Sequence, residues 1–146
     1  MQSQNTVFMF HAEMSNSEHA DDNEQAKPQN YHRFLLTRPP SLELNAIKLI
    51  VQLTNDYKTV PTHIVHLSAA DALDIIKKAK DDGLPLTVET CFHYLCLSAE
   101  DVPAGRTEFK CCPPIRDEAN RQKLWQVCKR IVVVYRIISL CLLIFM

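Results

Sequence analysis

One pattern constrains this chain more than any other: short apolar runs alternate with stretches whose apolar residues recur at helical spacing. The runs are Thr6–Phe10 (TVFMF), Thr62–Ser68 (THIVHLS) and Leu84–Leu95 (LPLTVETCFHYL, a strand and whatever follows it). A continuous apolar run of strand length predicts a strand buried on both faces, as in a parallel sheet. After Ser41, a candidate helix cap, Leu42, Ala46, Leu49, Ile50, Leu53 and Tyr57 fall on one helical face. That helix is expected to stop near Asn55–Tyr57, ahead of Pro61. Ser68 and Asp71 read as a capping-box variant before a second stripe of Ala72, Ile75, Ile76 and Ala79. Lys77, Lys78 and Lys80 suit the C-terminal end of that helix, and Gly83 falls just past it. A third helix is expected from Asp117 through Leu124 and Trp125. Strands alternating with amphipathic helices imply a parallel sheet built from crossover units. The expected class is therefore α/β: part of a flavodoxin-like sheet, or an arc of a (β/α)8 TIM barrel. A whole barrel takes eight strands and about 250 residues. With 146 residues and three strands, the barrel reading makes this chain a piece of one.

Composition removes several function classes. Only 2 glycines are present, so neither a phosphate-binding P-loop nor a dinucleotide fingerprint can be written. A net charge of −1 gives no electrostatic reason to expect nucleic acid. The 6 cysteines all lie beyond residue 90, and the opening MQSQNTVFMF lacks the basic region of a secretory signal. Reduced thiols in an intracellular compartment, cytoplasmic or organellar, are the expectation. Ala12 to Pro40 is polar and without a clear period, and a connection of that length predicts a functional loop.

The chain changes character near Gln126. Residues 1–126 carry all 17 carboxylates, and 127–146 carry none. From Ile131 to Met146 the sequence is apolar except for Arg136 and Ser139. As a helix this stretch would be about 24 Å long against roughly 30 Å of bilayer core. Three readings stay open: a membrane anchor flanked by Lys129 and Arg130, a buried strand or helix, or sequence foreign to the body, such as an alternative exon. The expected division is a body over 1–126 and an apolar tail over 127–146.

In a (β/α) barrel, reacting groups project from the C-terminal ends of the strands. His11 ends the first strand and His66 ends the second, followed by Leu67 and Ser68, where a barrel places metal ligands or acid–base groups. His63 lies three residues before His66, so on a continuous strand the two face opposite ways. Cys91, His93, Cys96, Cys111 and Cys112 do not match paired zinc knuckles, and free thiols are expected instead. Trp125 reads as a core residue on a helix face.

FHAEM at 10–14, RPP at 38–40, HIVHLS at 63–68, ETCFHYL at 89–95 and CCPPIRDEANRQKLW at 111–125 resemble the cyclic amidohydrolases. That superfamily includes hydantoinase, dihydropyrimidinase, dihydroorotase and allantoinase. The resemblance spans roughly residues 5–126, and the string PPIRD-x2-N-x3-LW is most similar to allantoinases. It implies a metal-dependent (β/α) barrel of which this chain would supply the fifth to seventh strands. It also implies that His11 and His66 are ligands of the more exposed of two zinc ions per subunit. The implied reaction is hydrolysis of the hydantoin ring of allantoin to allantoate by a metal-activated hydroxide, a step of purine breakdown. A homo-oligomer, tetrameric in the family, and a cytoplasmic, mitochondrial or peroxisomal location are implied as well. A hydantoinase- or dihydropyrimidinase-like substrate, or a non-catalytic interaction or membrane-associated form, are the alternatives.

The chain departs from the family pattern. No H-x-H pair occurs, no lysine precedes His11, and no Asp-His-Ser-Pro segment follows Trp125. Phe92 stands where a proline is common, and Cys112 where serine is usual. The expectation is a truncated form, catalytically incomplete by itself.

Overall fold

The computed structural model describes residues 6–14, 29–135 and 142–145. Arg136, Ser139 and Cys141, on which part of the tail reading rests, lie outside the described residues, as does most of the polar connection at 15–28. The sheet has four strands in the order β1 (Phe8–Phe10), β2 (Thr62–Ile64), β3 (Leu86–Thr90) and β4 (Leu142–Phe145). β1, β2 and β3 are parallel, with Phe10 level with Ile64 and Ile64 level with Val88. β4 is antiparallel to β3, so the apolar tail contributes a strand at the sheet edge. The helices are α1 (Tyr31–Leu36), α2 (Pro40–Asp56), α3 (Leu73–Asp81), α4 (Phe92–Cys96) and α5 (Glu118–Tyr135). The fold is an arc of a (β/α)8 barrel, three parallel strands with their helices, one of the two architectures that the alternation allows.

The core lies where the stripes meet the strands. Ile47 and Ile50 of α2, Ile76 of α3 and Leu124 of α5 are buried together with Ile64, Leu86 and Val88. α2 begins two residues earlier than the Ser41 cap predicts, because Pro40 occupies its first turn, where a fixed φ and a missing N–H carry no penalty. Ser68 does not cap α3 either. A short 3₁₀ turn at Ala70–Ala72 intervenes, and the Ser68 hydroxyl donates to the Pro114 carbonyl at 2.6 Å. Gly83 is placed as expected: its φ is +74°, its N–H reaches Lys80 O at 2.9 Å, and the Leu84 N–H reaches Ala79 O at 3.1 Å. α5 starts as read from Asp117, whose Oδ1 accepts from the Asn120 N–H at 2.8 Å. It then runs unbroken past residue 126. Trp125 is partly buried and donates to the Leu95 carbonyl at 2.7 Å.

Two expectations need correction. The polar connection holds a helix, α1, whose buried Tyr31 exchanges hydrogen bonds with the Ile115 backbone at 3.1 and 2.9 Å. And β1 is not buried on both faces: Val7, Phe8 and Met9 are about half exposed or more. An apolar run is buried only where something covers each face and edge, and among the described residues β1 pairs with β2 alone.

Candidate metal-binding site

Both sheet-end histidines owe their placement to an unusual backbone. Ala12 has φ +53° and His66 φ +45°. Each lies two residues beyond the last registered pair, Phe10 and Ile64. Non-glycine residues in this left-handed region cost roughly 1–2 kcal/mol each. The turn at Ala12 ends β1 straight after His11. The turn at His66 ends the regular alternation of β2, which stops at Ile64 rather than running to Ser68. His66 is thereby freed from the face that alternation alone would give it.

The two imidazoles meet. His11 Nδ1 and His66 Nε2 are 2.9 Å apart, with the rings nearly perpendicular at 76°. His11 Nε2 lies 3.1 Å from Glu13 Oε2, and Arg38 Nη1 donates to the same oxygen at 3.2 Å. The Glu13 side chain is 5% exposed, and its other carboxylate oxygen has no partner among the described residues. His66 Nδ1 is also buried without a protein partner. One tautomeric arrangement satisfies these contacts with least penalty. His11 donates Nε2–H to Glu13, His66 donates Nε2–H to His11 Nδ1, and the orphaned His66 Nδ1 carries a lone pair rather than a stranded proton. Burial holds the His66 imidazole below its ordinary value, and the neighbouring His11 acts in the same direction. That favours the neutral ring, the form that ligates metals.

The pair fits a divalent cation in the other His66 tautomer, with the proton on Nδ1 and Nε2 free to ligate. Two nitrogens each ~2.0–2.1 Å from one zinc lie about 2.9–3.4 Å apart for angles between square and tetrahedral. A ligating histidine also usually donates its other N–H to a carboxylate, the role Glu13 fills for His11. Among the described residues, however, no group of three or more His, Cys, Asp or Glu side chains is arranged to hold a metal.

The other candidates divide as follows. His63 does not join the pair: its Nδ1 contacts Thr87 Oγ1 at 2.7 Å and its Nε2 lies 3.6 Å from Glu89 on β3. Cys91, Cys96, Cys111, Cys112 and Cys128 form no disulfide among the described residues. Burial pushes the Cys128 thiol up to about 11, so it is protonated and inert at neutral pH. His93 is half-buried with an unpartnered Nε2, and burial, then the nearby His66, lowers its pKa. Sequence reading passed over Glu13 and Arg38 as working residues. The signal was there in the strings FHAEM and RPP, but neither string says that its charged residue reaches His11.

No helix among the described residues is long and apolar enough to cross a membrane. No model of a known protein family matches the chain. It is 45% identical to the allantoinase of Saccharomyces cerevisiae over 132 residues, 89% of this chain and 29% of that protein. It is 48% identical to the mitochondrial allantoinase of Aquarana catesbeiana over 125 residues, 86% of this chain and 25% of that protein. A crystal structure of a D-hydantoinase superposes with a TM-score of 0.71 at 29% identity, covering 86% of this chain and 28% of the other. The chain thus spans between a quarter and a third of the length of these relatives.

Proposed function

We propose that this chain is part of an allantoinase-like cyclic amidohydrolase, supplying two ligands to a divalent metal centre that hydrolyses the hydantoin ring of allantoin to allantoate. The observation that carries the proposal is the 2.9 Å approach of His11 Nδ1 to His66 Nε2 at the C-terminal ends of neighbouring parallel strands. When bound there, zinc supplies a water of lowered pKa and a Lewis acid for the oxyanion developing on the ring carbonyl. The chain's own residues hold the donors. Glu13 takes the Nε2–H of His11 and so keeps Nδ1 free as a lone pair, and Arg38 holds the Glu13 carboxylate in place.

Two imidazoles fall short of the three protein ligands of a catalytic zinc site. The proposed activity therefore belongs to a complete barrel with two zinc ions, and this chain alone is expected to be inactive. Allantoin is favoured over a dihydropyrimidine or another hydantoin because identity is 45% and 48% to two allantoinases but 29% to the D-hydantoinase. Homo-oligomeric assembly and an intracellular, cytoplasmic or organellar location go with the same reading; the relative from Aquarana catesbeiana is named as mitochondrial.

Calorimetric titration of the purified chain with Zn2+ tests the metal centre. Weak binding is expected, lost in His11→Ala and in His66→Ala and kept in His63→Ala. Equal binding by all four proteins would overturn it. Incubation with allantoin and Zn2+ should yield no allantoate, and turnover by the chain alone would show that the remaining ligands need not come from elsewhere.

A further inference from the structure

The string PPIRDEAN at 113–120 never touches the histidine pair, yet its polar groups converge on the loop that leaves His66. Arg116 and Glu43 form a buried ion pair, with Nη2 2.6 Å and Nε 3.2 Å from Glu43 Oε2. The other oxygen of Glu43 accepts the Ser68 and Ala69 N–H groups at 2.9 and 3.1 Å. Asn120 clasps the same loop from α5: Oδ1 accepts from the Ala70 N–H at 2.7 Å and Nδ2 donates to the Ser68 carbonyl at 2.8 Å. Arg116 Nη1 also donates to the Arg38 carbonyl at 3.2 Å, and the Arg38 side chain holds Glu13 against His11.

We infer that Glu43, Arg116 and Asn120 are positioning residues for the histidine pair: they fix residues 68–70 and with them the left-handed turn at His66. His66 has an unfavourable φ of +45°, and a non-glycine residue keeps such a backbone only where its surroundings over-determine it. Next along the chain, the Leu67 N–H donates to Glu89 O at 2.8 Å and Thr90 Oγ1 donates to Leu67 O at 2.6 Å. With the loop held from β3 on one side and from Glu43 and Asn120 on the other, the turn has no freedom to relax. Loss of the second clasp lets His66 return toward strand alternation and swing away from His11. The inference rests on the metal reading only for its effect on affinity, since the His11–His66 contact exists without metal.

The test uses the whole 146-residue chain, its imidazole nitrogens labelled with 15N, as wild type, Arg116→Lys and Asn120→Ala. Arg116→Lys keeps the charge but loses the planar fork. Asn120→Ala removes two hydrogen bonds from a part-buried side chain without stranding a charge. In wild type, His11 and His66 should each show one fixed tautomer. Both variants should give tautomer-averaged signals for this pair, while His63 on Thr87 keeps its own. Leu84→Ala, which opens a cavity before the start of β3, at the end of the sheet opposite the histidines, should leave the pair as in wild type. Co2+ titration should show 10–100-fold weaker binding in both variants. Variants that fold and keep the fixed tautomers and the wild-type Co2+ affinity would overturn the positioning role. If Arg116→Lys does not fold, Asn120→Ala decides. A wild type that binds no Co2+ but loses its fixed tautomers in the variants would sink the metal reading and leave the positioning role standing.

Discussion

At β1 the chain leaves apolar groups in water; at Pro113–Arg116 it takes polar groups out of it. Phe8 and Met9 are 56% and 65% exposed, and Phe8 and Phe10 line an apolar groove of about 260 Å³ with Leu53 of α2 and Tyr57 just past its end. Glu43 and Arg116, by contrast, are 1% and 7% exposed and carry opposite charges. The polar segment is closed by this chain's own residues. Two prolines remove the N–H groups that regular structure would use, and three hydroxyls take the carbonyls: Tyr94 on Pro113 at 2.7 Å, Ser68 on Pro114 at 2.6 Å and Tyr31 on Ile115 at 3.1 Å. Among the described residues the apolar edge has no such closure. An unpaired parallel strand is the cut surface expected of a barrel arc, and the chain covers 28% of the D-hydantoinase chain it superposes on. The contrast is between a region whose requirements are met within the segment and one whose requirements are not.

The largest effect should come from breaking the closed region at its charge. Arg116→Met leaves the Glu43 carboxylate buried and unpaired, and removing one partner of a buried ion pair costs about 3–5 kcal/mol. Urea unfolding should show a loss of that size. Glu43→Gln combined with Arg116→Met should recover part of it, because the amide oxygen can still accept from Ser68 and Ala69. If the double variant is no more stable than the single one, the stranded charge is not the cause. Next in size is a neutral break. Tyr94→Phe strands the Pro113 carbonyl, a loss of about 1–3 kcal/mol in the same measurement. Burial already holds the Tyr94 phenol far above its ordinary value, so this hydroxyl acts as a neutral donor at any accessible pH. A change within 0.3 kcal/mol, the usual scatter of such measurements, would mean that the carbonyl finds another partner.

Periodicity told most about the regions that obey it. The stripes Leu42–Tyr57 and Ala72–Ala79 located α2 and α3, but Leu49, Leu53 and Tyr57 are left exposed, and α2 buries Ile47 together with Leu42, Ala46 and Ile50. The same reasoning failed at β1, where an apolar run records that a face is meant to be covered but not by what. The histidines were legible as strand-end residues, and their separation of 55 positions brought them to one place. Their contact was not legible, since it depends on a left-handed His66 that strict alternation forbids. Glu43 was invisible for a related reason. It reads as a solvated charge in the first turn of a helix, and only the arrival of Arg116 73 residues later makes it a core residue.

A pH titration sharpens the comparison, since buried polar groups at the sheet end have not all found partners. His93 Nε2 is buried without one, and burial, then the nearby His66, lowers the His93 pKa from 6.5. The unfolded chain therefore binds the proton more readily than the folded one, and stability falls as the pH drops through 6.5 and below. Melting temperatures recorded from pH 7.5 downward should decline over that interval, and His93→Gln should flatten part of the decline. An unchanged slope in the variant would assign the loss to other groups, His66 first.

The smallest effect on folding should come from the open region, and there the readout that moves is association. Met9 is 65% exposed, so Met9→Lys removes little burial and should change unfolding free energy by less than about 0.5 kcal/mol. The same substitution places a charge on an unpaired parallel edge beside Phe8, the device by which natural sheets block edge-to-edge pairing. Sedimentation velocity over a concentration series should show wild type self-associating and Met9→Lys shifted toward the monomer. A loss of several kcal/mol in Met9→Lys would mean that something already covers the β1 edge. Unchanged association would place the sticky surface elsewhere, with the groove between Phe8 and Tyr57 the next to be tested by Tyr57→Glu. Because the two regions share no side-chain contact, Met9→Lys and Arg116→Met should be additive within about 0.5 kcal/mol. Coupling beyond that would show that the open edge and the closed loop communicate through α2, which carries Glu43 at one end and Leu53 near the other.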